Sequence, residues 1–165
     1  MNTKIAVLII PFLLFLTVHV VDGQQPGKVP VLGIWRLVSF EMESQTTGER
    51  EHTRGKNPTG NIIFAPEGRM MVLLTDEGRK APNTDQDRAD FFKSMLAYTG
   101  MYRIEDDKWI TKVDVSGNPA LVGTEQTRFF RIDGDRLQES TSFMPWPARP
   151  EKGMVRFVLM WERAK

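Results

Sequence analysis

The sequence predicts an all-β protein, a single antiparallel up-and-down β-barrel of about eight strands with one short α-helix. Between Gly33 and Arg163, apolar and polar residues alternate in successive segments, which is the pattern of strands with one buried and one wet face. Turn residues separate these segments. A sheet of roughly eight strands can close around one small ligand. The pattern therefore predicts a barrel with room for a small ligand, but it does not identify that ligand.

Composition limits the functions that such a barrel can have. The chain has 165 residues, of which 41% are hydrophobic and 26% charged, which is enough for one domain with a real core. The net charge of +1 offers no strong field for nucleic acid. Cysteine is absent, so disulfides, thiol nucleophiles and zinc–thiolate sites are excluded. We expect neither a nucleic-acid partner nor a cofactor or metal.

The first 23 residues have the layout of a secretory signal peptide. Lys4 precedes a nearly continuous apolar run over residues 5–21, and Val21 and Gly23 stand at the −3 and −1 positions of a cleavage site. An uncleaved membrane anchor is the alternative, because the run approaches the minimum length of a span. We expect cleavage after Gly23, a leader over residues 24–30, a barrel domain over residues 31–165, and a secreted or periplasmic protein without stable membrane association.

The strands are predicted in order along the chain, and one loop among them is unusually long. Both faces of the first strand are largely apolar, so we expect it to be covered outside as well as inside. Residues 43–59 form a long polar loop, of a length that is often functional. The predicted strands span residues 32–43, 60–65, 69–75, 99–105, 108–116, 123–132, 136–143 and 154–163.

Residues 84–96 change period and predict the helix. Phe91, Phe92, Met95 and Leu96 fall on one helical stripe, and Thr84 with Asp87 resembles a capping box. The acidic residues at 85, 87 and 90 lack the glycine and glutamate of a calcium loop, so negative charge at a helix N-terminus explains them better.

Several segments of the chain resemble the lipocalin-like domain family, small barrels related in architecture to the lipocalins. The resemblance covers nearly all of residues 31–164, and Gly-Thr-Glu-Gln-x-Arg at 123–128 is its most specific part. It implies a barrel with a pocket and names no ligand. The matching pieces are residues 33–39 (GIWRLVS), 60–64 (GNIIF), 68–70 (GRM), 98–102 (YTGMY), 122–128 (VGTEQTR) and 159–163 (LMWER).

The most informative polar residues lie on two neighbouring strands. Gln126 and Arg128 share a strand face, as do Glu139 and Thr141, so an internal ion pair between Arg128 and Glu139 is expected. Polar groups on an inward face need hydrogen bonds or a ligand. The set therefore either closes one end of the barrel structurally or contacts a ligand. The resemblance to lipocalin-type barrels implies that Trp35 lies beneath an arginine, Arg163 or Arg128, in a cation–π contact that closes the base.

The remaining candidate ligand contacts are apolar or isolated. Methionines suit irregular hydrophobic ligands, although small barrels can also fill themselves with side chains. Arg36, Arg103 and Arg156 interrupt apolar alternation, and one or two of them are expected to face inward. The further candidate ligand contacts are Arg36, Met71, Leu73, Met101, Tyr102, Trp109, Thr111 and Phe130.

Three functional hypotheses remain open. The first is a carrier of a small hydrophobic or amphiphilic molecule, oriented by Gln126, Arg128 or Tyr102. The second is a cofactor-free isomerase, cyclase or hydratase that uses Glu139, Glu125 or Tyr102 for acid–base work. The third is an interaction module that docks through residues 43–59, where His52 is a solvated loop residue. The sequence leaves the ligand and the oligomeric state undecided, and it favours the carrier over the enzyme.

Overall fold

The computed structural model describes residues 31–165, and the predicted signal peptide and leader lie outside this range. Its elements are ten strands and one α-helix, with two short 3₁₀ turns at Pro119–Leu121 and Pro150–Lys152. The helix α1 spans Asp85–Lys93. The strands are β1 Gly33–Ser44, β2 Arg50–Glu51, β3 Thr59–Phe64, β4 Arg69–Thr75, β5 Met95–Glu105, β6 Lys108–Ser116, β7 Glu125–Asp133, β8 Arg136–Ser140, β9 Met144–Pro145 and β10 Met154–Arg163.

Eight long strands close into an antiparallel barrel, as the sequence predicts. The order in the sheet is β1-β3-β4-β5-β6-β7-β8-β10, and β10 returns to pair with β1. The two-residue strands β2 and β9 pair antiparallel with one end of β1 and of β10, respectively. Closure leaves no free edge among the long strands, so their backbone groups pair within the molecule.

A β-bulge in β1 explains why both of its faces are apolar. Leu37 pairs with Trp161 and Ser39 with Met160, so Val38 has no partner of its own in β10. The inward positions therefore shift by one residue. Trp35 and Leu37 are buried before the bulge and Phe40 after it, while Val38 is exposed. The expectation that this strand is covered on its outer side was wrong.

The helix is confirmed but is shorter than predicted. Thr84 Oγ1 accepts from the backbone N–H of Asp87, and the Asp87 carboxylate accepts from the N–H of Thr84, which is the predicted capping box. Met95 and Leu96 belong to β5, where they pair with Thr75 and Leu74. The ladder hydrogen bonds of β5 thus end the helix after Lys93. No residue of α1 is buried, so its apolar stripe is not a core face.

The lower half of the barrel is filled with large side chains, and we call this half the packed base. Phe64 lies edge-on to Trp109 at 5.0 Å and to Tyr102 at 5.1 Å. The Arg163 guanidinium lies 4.0 Å from the ring centre of Trp35, as predicted for one of the two candidate arginines. Leu137 and Trp161 complete the packing. These residues close one end of the barrel and leave the space above them for a site.

Among residues 31–165, no helix is long and apolar enough to cross a membrane.

Candidate functional site

A cavity of about 430 Å³ occupies the half of the barrel opposite the packed base. Its size lies within the range of small-molecule pockets, roughly 300–1,000 Å³. At about 30 Å³ for each water in the liquid, it holds about 14 non-hydrogen atoms, and more when they are bonded. Its apolar wall consists of Phe40, Val72, Leu74, Leu96, Leu121, Phe157 and Leu159.

Strand alternation places this wall directly above the base. On β4, Met70 packs in the base while Val72 and Leu74, two and four residues further, line the cavity. On β10 the order is reversed, because the strand runs the other way: Leu159 lines the cavity and Trp161 lies in the base. The cavity therefore continues the core along the barrel axis, and the inward side chains around it do not fill the space between them.

The polar side of the cavity centres on the predicted ion pair, which is confirmed. Arg128 Nε lies 3.2 Å from Glu139 Oε1. Glu139 Oε2 accepts a hydrogen bond of 2.8 Å from the indole N–H of Trp161. Glu139 is 4% exposed, and this burial raises the pKa of its carboxyl group, against the opposing effects of Arg128 and Trp161. This buried carboxyl group on the cavity wall therefore takes up a proton more readily than an exposed glutamate does.

Gln126 and Thr141 also line the cavity, and both are held in place. The Arg128 guanidinium donates to Gln126 Oε1 at 3.3 Å and to the Thr127 carbonyl at 2.8 Å. Gln126 Nε2 donates to Thr124 Oγ1 at 2.9 Å. Thr141 Oγ1 donates to the Ser142 carbonyl and accepts from the Phe157 N–H. These polar side chains are preorganised by the protein itself.

Tyr98 is a site residue that sequence reasoning missed. It is 5% exposed and lines the cavity from β5, and its hydroxyl has no hydrogen-bond partner within residues 31–165. Burial raises the pKa of its hydroxyl, which the charges of Arg128 and Glu139 shift in opposite directions. Tyr98 lines the same cavity as this ion pair. The predicted strand began one residue later, at Thr99. Extending the alternation back from Tyr102 through Gly100 would have found it.

The end of the cavity away from the base, which we call the mouth, is built by loops and the helix end. Arg54 forms an ion pair with Asp76 and lies 5.0 Å from the ring centre of Phe40. Trp146 packs edge-on against Phe157 at 5.6 Å. Thr53 and Arg54, two residues of the long 43–59 loop, thus line the cavity. The mouth residues that line the cavity are Thr53, Arg54, Asp76, Lys93, Asn118, Met144 and Trp146.

Four of the predicted ligand contacts line the cavity, namely Gln126, Arg128, Glu139 and Thr141. Four others lie inside the barrel in or beside the packed base, and the cavity wall does not include them: Tyr102, Trp109, Thr111 and Phe130. Trp109 Nε1 and Thr111 Oγ1 are buried without a hydrogen-bond partner in the described part of the chain.

The remaining four predicted contacts lie on the outside of the barrel, so their assignment to the interior was wrong. Met71, Leu73 and Met101 are 50%, 47% and 48% exposed. Residues 70–74 of β4 are all apolar, so alternation cannot tell which face is inward, and closure turns Met70, Val72 and Leu74 inward. Arg36 is exposed and pairs with Glu162.

The other arginines and Glu125 also face away from the cavity. Arg103 pairs with Glu125 at 2.8 Å on the outer surface, where both are half-exposed. Arg156 pairs with Glu43 at 2.6 Å. The prediction that Glu125 acts as an acid or base inside the barrel was therefore wrong. His52 is a partly exposed loop residue whose Nε2 lies 3.9 Å from Glu41.

Comparison with known proteins agrees with this architecture. The family model of the lipocalin-like domain matches residues 32–164. No curated protein matches the chain.

Proposed function

Because the chain belongs to the lipocalin-like domain family, we propose that it binds a small hydrophobic or amphiphilic molecule in the hollow half of its barrel. The observation that carries this proposal is the cavity of about 430 Å³, with apolar walls on one side and the Arg128–Glu139 pair on the other. Burial of the ligand would supply about 0.8 kcal/mol for each CH₂ group removed from water. Tyr98, Gln126 and Arg128 would orient its polar end.

Titration with a fluorescent probe tests this proposal. Prodan, a neutral naphthyl ketone of suitable size, changes its emission when it leaves water. We expect saturable binding of one probe per barrel. Leu96→Trp should abolish it, because Leu96 lines the cavity near the mouth and the larger ring would fill the space.

Leu73→Trp is the matched control, because Leu73 lies on the outer face of the adjacent strand β4. This variant should bind the probe as the unsubstituted protein does. Equal binding by both tryptophan variants would place the probe elsewhere and refute the proposal.

A cofactor-free isomerase, cyclase or hydratase is the second candidate, and one observation favours it. Glu139 combines a raised pKa with a position on the cavity wall, as a general acid requires. Tyr98 would be its partner, since Tyr102 and Glu125 do not line the cavity. Purified protein with candidate polyene or lactone substrates tests it: turnover lost in Glu139→Gln and kept in Glu125→Gln supports the enzyme, and equal turnover in both refutes it.

We also propose that the protein is secreted or periplasmic, with cleavage after Gly23 and no stable membrane association afterwards. The support is the basic start, apolar run and small residues of the first 23 positions. Mass spectrometry of the exported protein should give a chain that begins at Gln24. A chain that retains Met1 and sediments with membranes would support an anchor instead.

A further inference from the structure

The polar wall of the cavity has more hydrogen-bond donors to offer than acceptors. Glu139 Oε1 is held by its ion pair with Arg128, Glu139 Oε2 accepts from Trp161, and Gln126 Oε1 accepts from Arg128. Of the five guanidinium N–H groups of Arg128, two donate hydrogen bonds and the Nε–H lies in the ion pair with Glu139, so the other two have no acceptor within residues 31–165. The Tyr98 hydroxyl also lacks a partner there. A bound molecule would thus meet hydrogen-bond donors that have no acceptor in the described part of the protein.

Each charge on the cavity wall is balanced by an opposite one. Arg128 pairs with Glu139 inside the barrel, and at the mouth Arg54 pairs with Asp76. Lys93, the remaining charged wall residue, lies 3.3 Å from Asp90. An ionised ligand group would bring a charge into this space without a free counter-charge, which costs several kcal/mol when the site is buried.

We propose that the ligand is an uncharged molecule whose polar end is a carbonyl-type acceptor, such as a ketone, ester or lactone, and that Tyr98 donates a hydrogen bond to it. This inference rests on the proposed function, since it describes the occupant of the same cavity. The acceptor end lies against Tyr98 and Arg128, and the apolar body extends along Leu96 and Phe157 toward the mouth. The cavity therefore favours a ligand that fits its volume, carries a hydrogen-bond acceptor for the unpaired donors, and has no net charge.

Three matched probes test the chemistry on the unsubstituted protein. They are prodan, its analogue with a propyl group in place of the propionyl ketone, and its analogue with a carboxylate at that position. At neutral pH, prodan should bind about fivefold more tightly than the propyl analogue, the value of one hydrogen bond. The carboxylate should bind at least about tenfold more weakly than prodan. Equal or tighter binding of the carboxylate would overturn the proposal.

The two tyrosines of the chain provide a matched pair of variants. Tyr98→Phe should lower prodan affinity about fivefold and leave the propyl analogue unaffected. Tyr102→Phe should change neither, because its hydroxyl faces the Ala65 carbonyl at 3.4 Å and Tyr102 does not line the cavity. The role of Tyr98 would be refuted if both variants kept full prodan affinity, or if both lost affinity by the same factor.

The experiment separates this inference from the proposed function. Binding of all three probes with equal affinity would leave a hydrophobic carrier and remove the acceptor-bearing ligand. Absence of binding by every probe would count against both. The probe series needs no substitution, so it decides the question even when a variant does not fold.

Discussion

The indole N–H of Trp161 donates a 2.8 Å hydrogen bond to the Glu139 carboxylate, which joins the packed base of the barrel to the polar wall of its cavity. Trp161 is fully buried, and Glu139 also forms an ion pair with Arg128, whose Nε lies 3.2 Å from Glu139 Oε1. The buried carboxylate thus has a hydrogen-bond donor in the packed base, Trp161, and a positively charged partner on the cavity wall, Arg128. Tyr98 and the remaining Arg128 N–H groups are therefore hydrogen-bond donors beside this carboxylate that a ligand can meet.

Stability should depend on pH through Glu139. Because burial raises its folded-state pKa above the ordinary value of 4.5, the folded protein holds this proton more tightly than the unfolded chain. This contribution is full below pH 4.5 and is lost as pH rises through the folded-state pKa. The free energy of unfolding of the unsubstituted protein, minus that of Glu139→Gln, should therefore fall as the pH of urea titrations rises above 4.5.

Glu125→Gln is the control for this titration. Arg103 lowers the pKa of Glu125 on the outer surface, so its contribution is present above pH 4.5 and is lost only as pH falls further. Its difference curve should be flat where that of Glu139→Gln slopes. A flat curve for Glu139→Gln would mean that the buried carboxyl has an ordinary pKa.

Thr111→Val should stabilise the protein by about 1 kcal/mol, because a fully buried hydroxyl without a partner pays desolvation for no bond. Thr141→Val is the matched control and should cost about 1 to 2 kcal/mol, since that hydroxyl donates to one backbone group and accepts from another. Urea unfolding measures both. Destabilisation by Thr111→Val would show that its hydroxyl binds an internal water.

Gly100→Ala should destabilise the barrel by about 3 kcal/mol. A methyl group there would lie 2.0 Å from the Lys112 carbonyl oxygen, which is backbone of the paired strand and cannot rotate away. Gly117→Ala is the control, because nothing lies nearer than 3.8 Å to the added carbon. Thermal unfolding should leave that control unchanged or slightly more stable. Equal unfolding temperatures in both variants would contradict the close β5–β6 approach.

Arg163→Met should cost about 1 to 2 kcal/mol through loss of the cation–π contact to Trp35 and of the 2.8 Å hydrogen bond to the Leu32 carbonyl. Arg36→Met removes an exposed ion pair with Glu162 and should cost less than about 1 kcal/mol. Probe affinity should change in neither, because both arginines lie away from the cavity. Weaker probe binding in Arg163→Met would show that the base and the cavity are coupled.

The fold was predictable where the alternation had one apolar face. The last strand matches its predicted bounds, Met154–Arg163, and the Arg128–Glu139 pair followed from shared faces on neighbouring strands. Residues 70–74 are apolar throughout, so barrel closure rather than local pattern turns Met71 outward. The bulge at Val38 reverses the faces of β1 and carries no signal in composition. Tyr98 was missed because strand ends are the least certain part of such reasoning.

A crystal structure of the protein with bound prodan would show whether the barrel holds its ligand in this cavity. We expect the naphthyl ring beside Leu96 and Phe157, with the carbonyl oxygen of the probe within hydrogen-bond distance of the Tyr98 hydroxyl. A barrel whose side chains fill that space while the probe lies on the outer face, beside Met71 and Met101, would contradict this expectation.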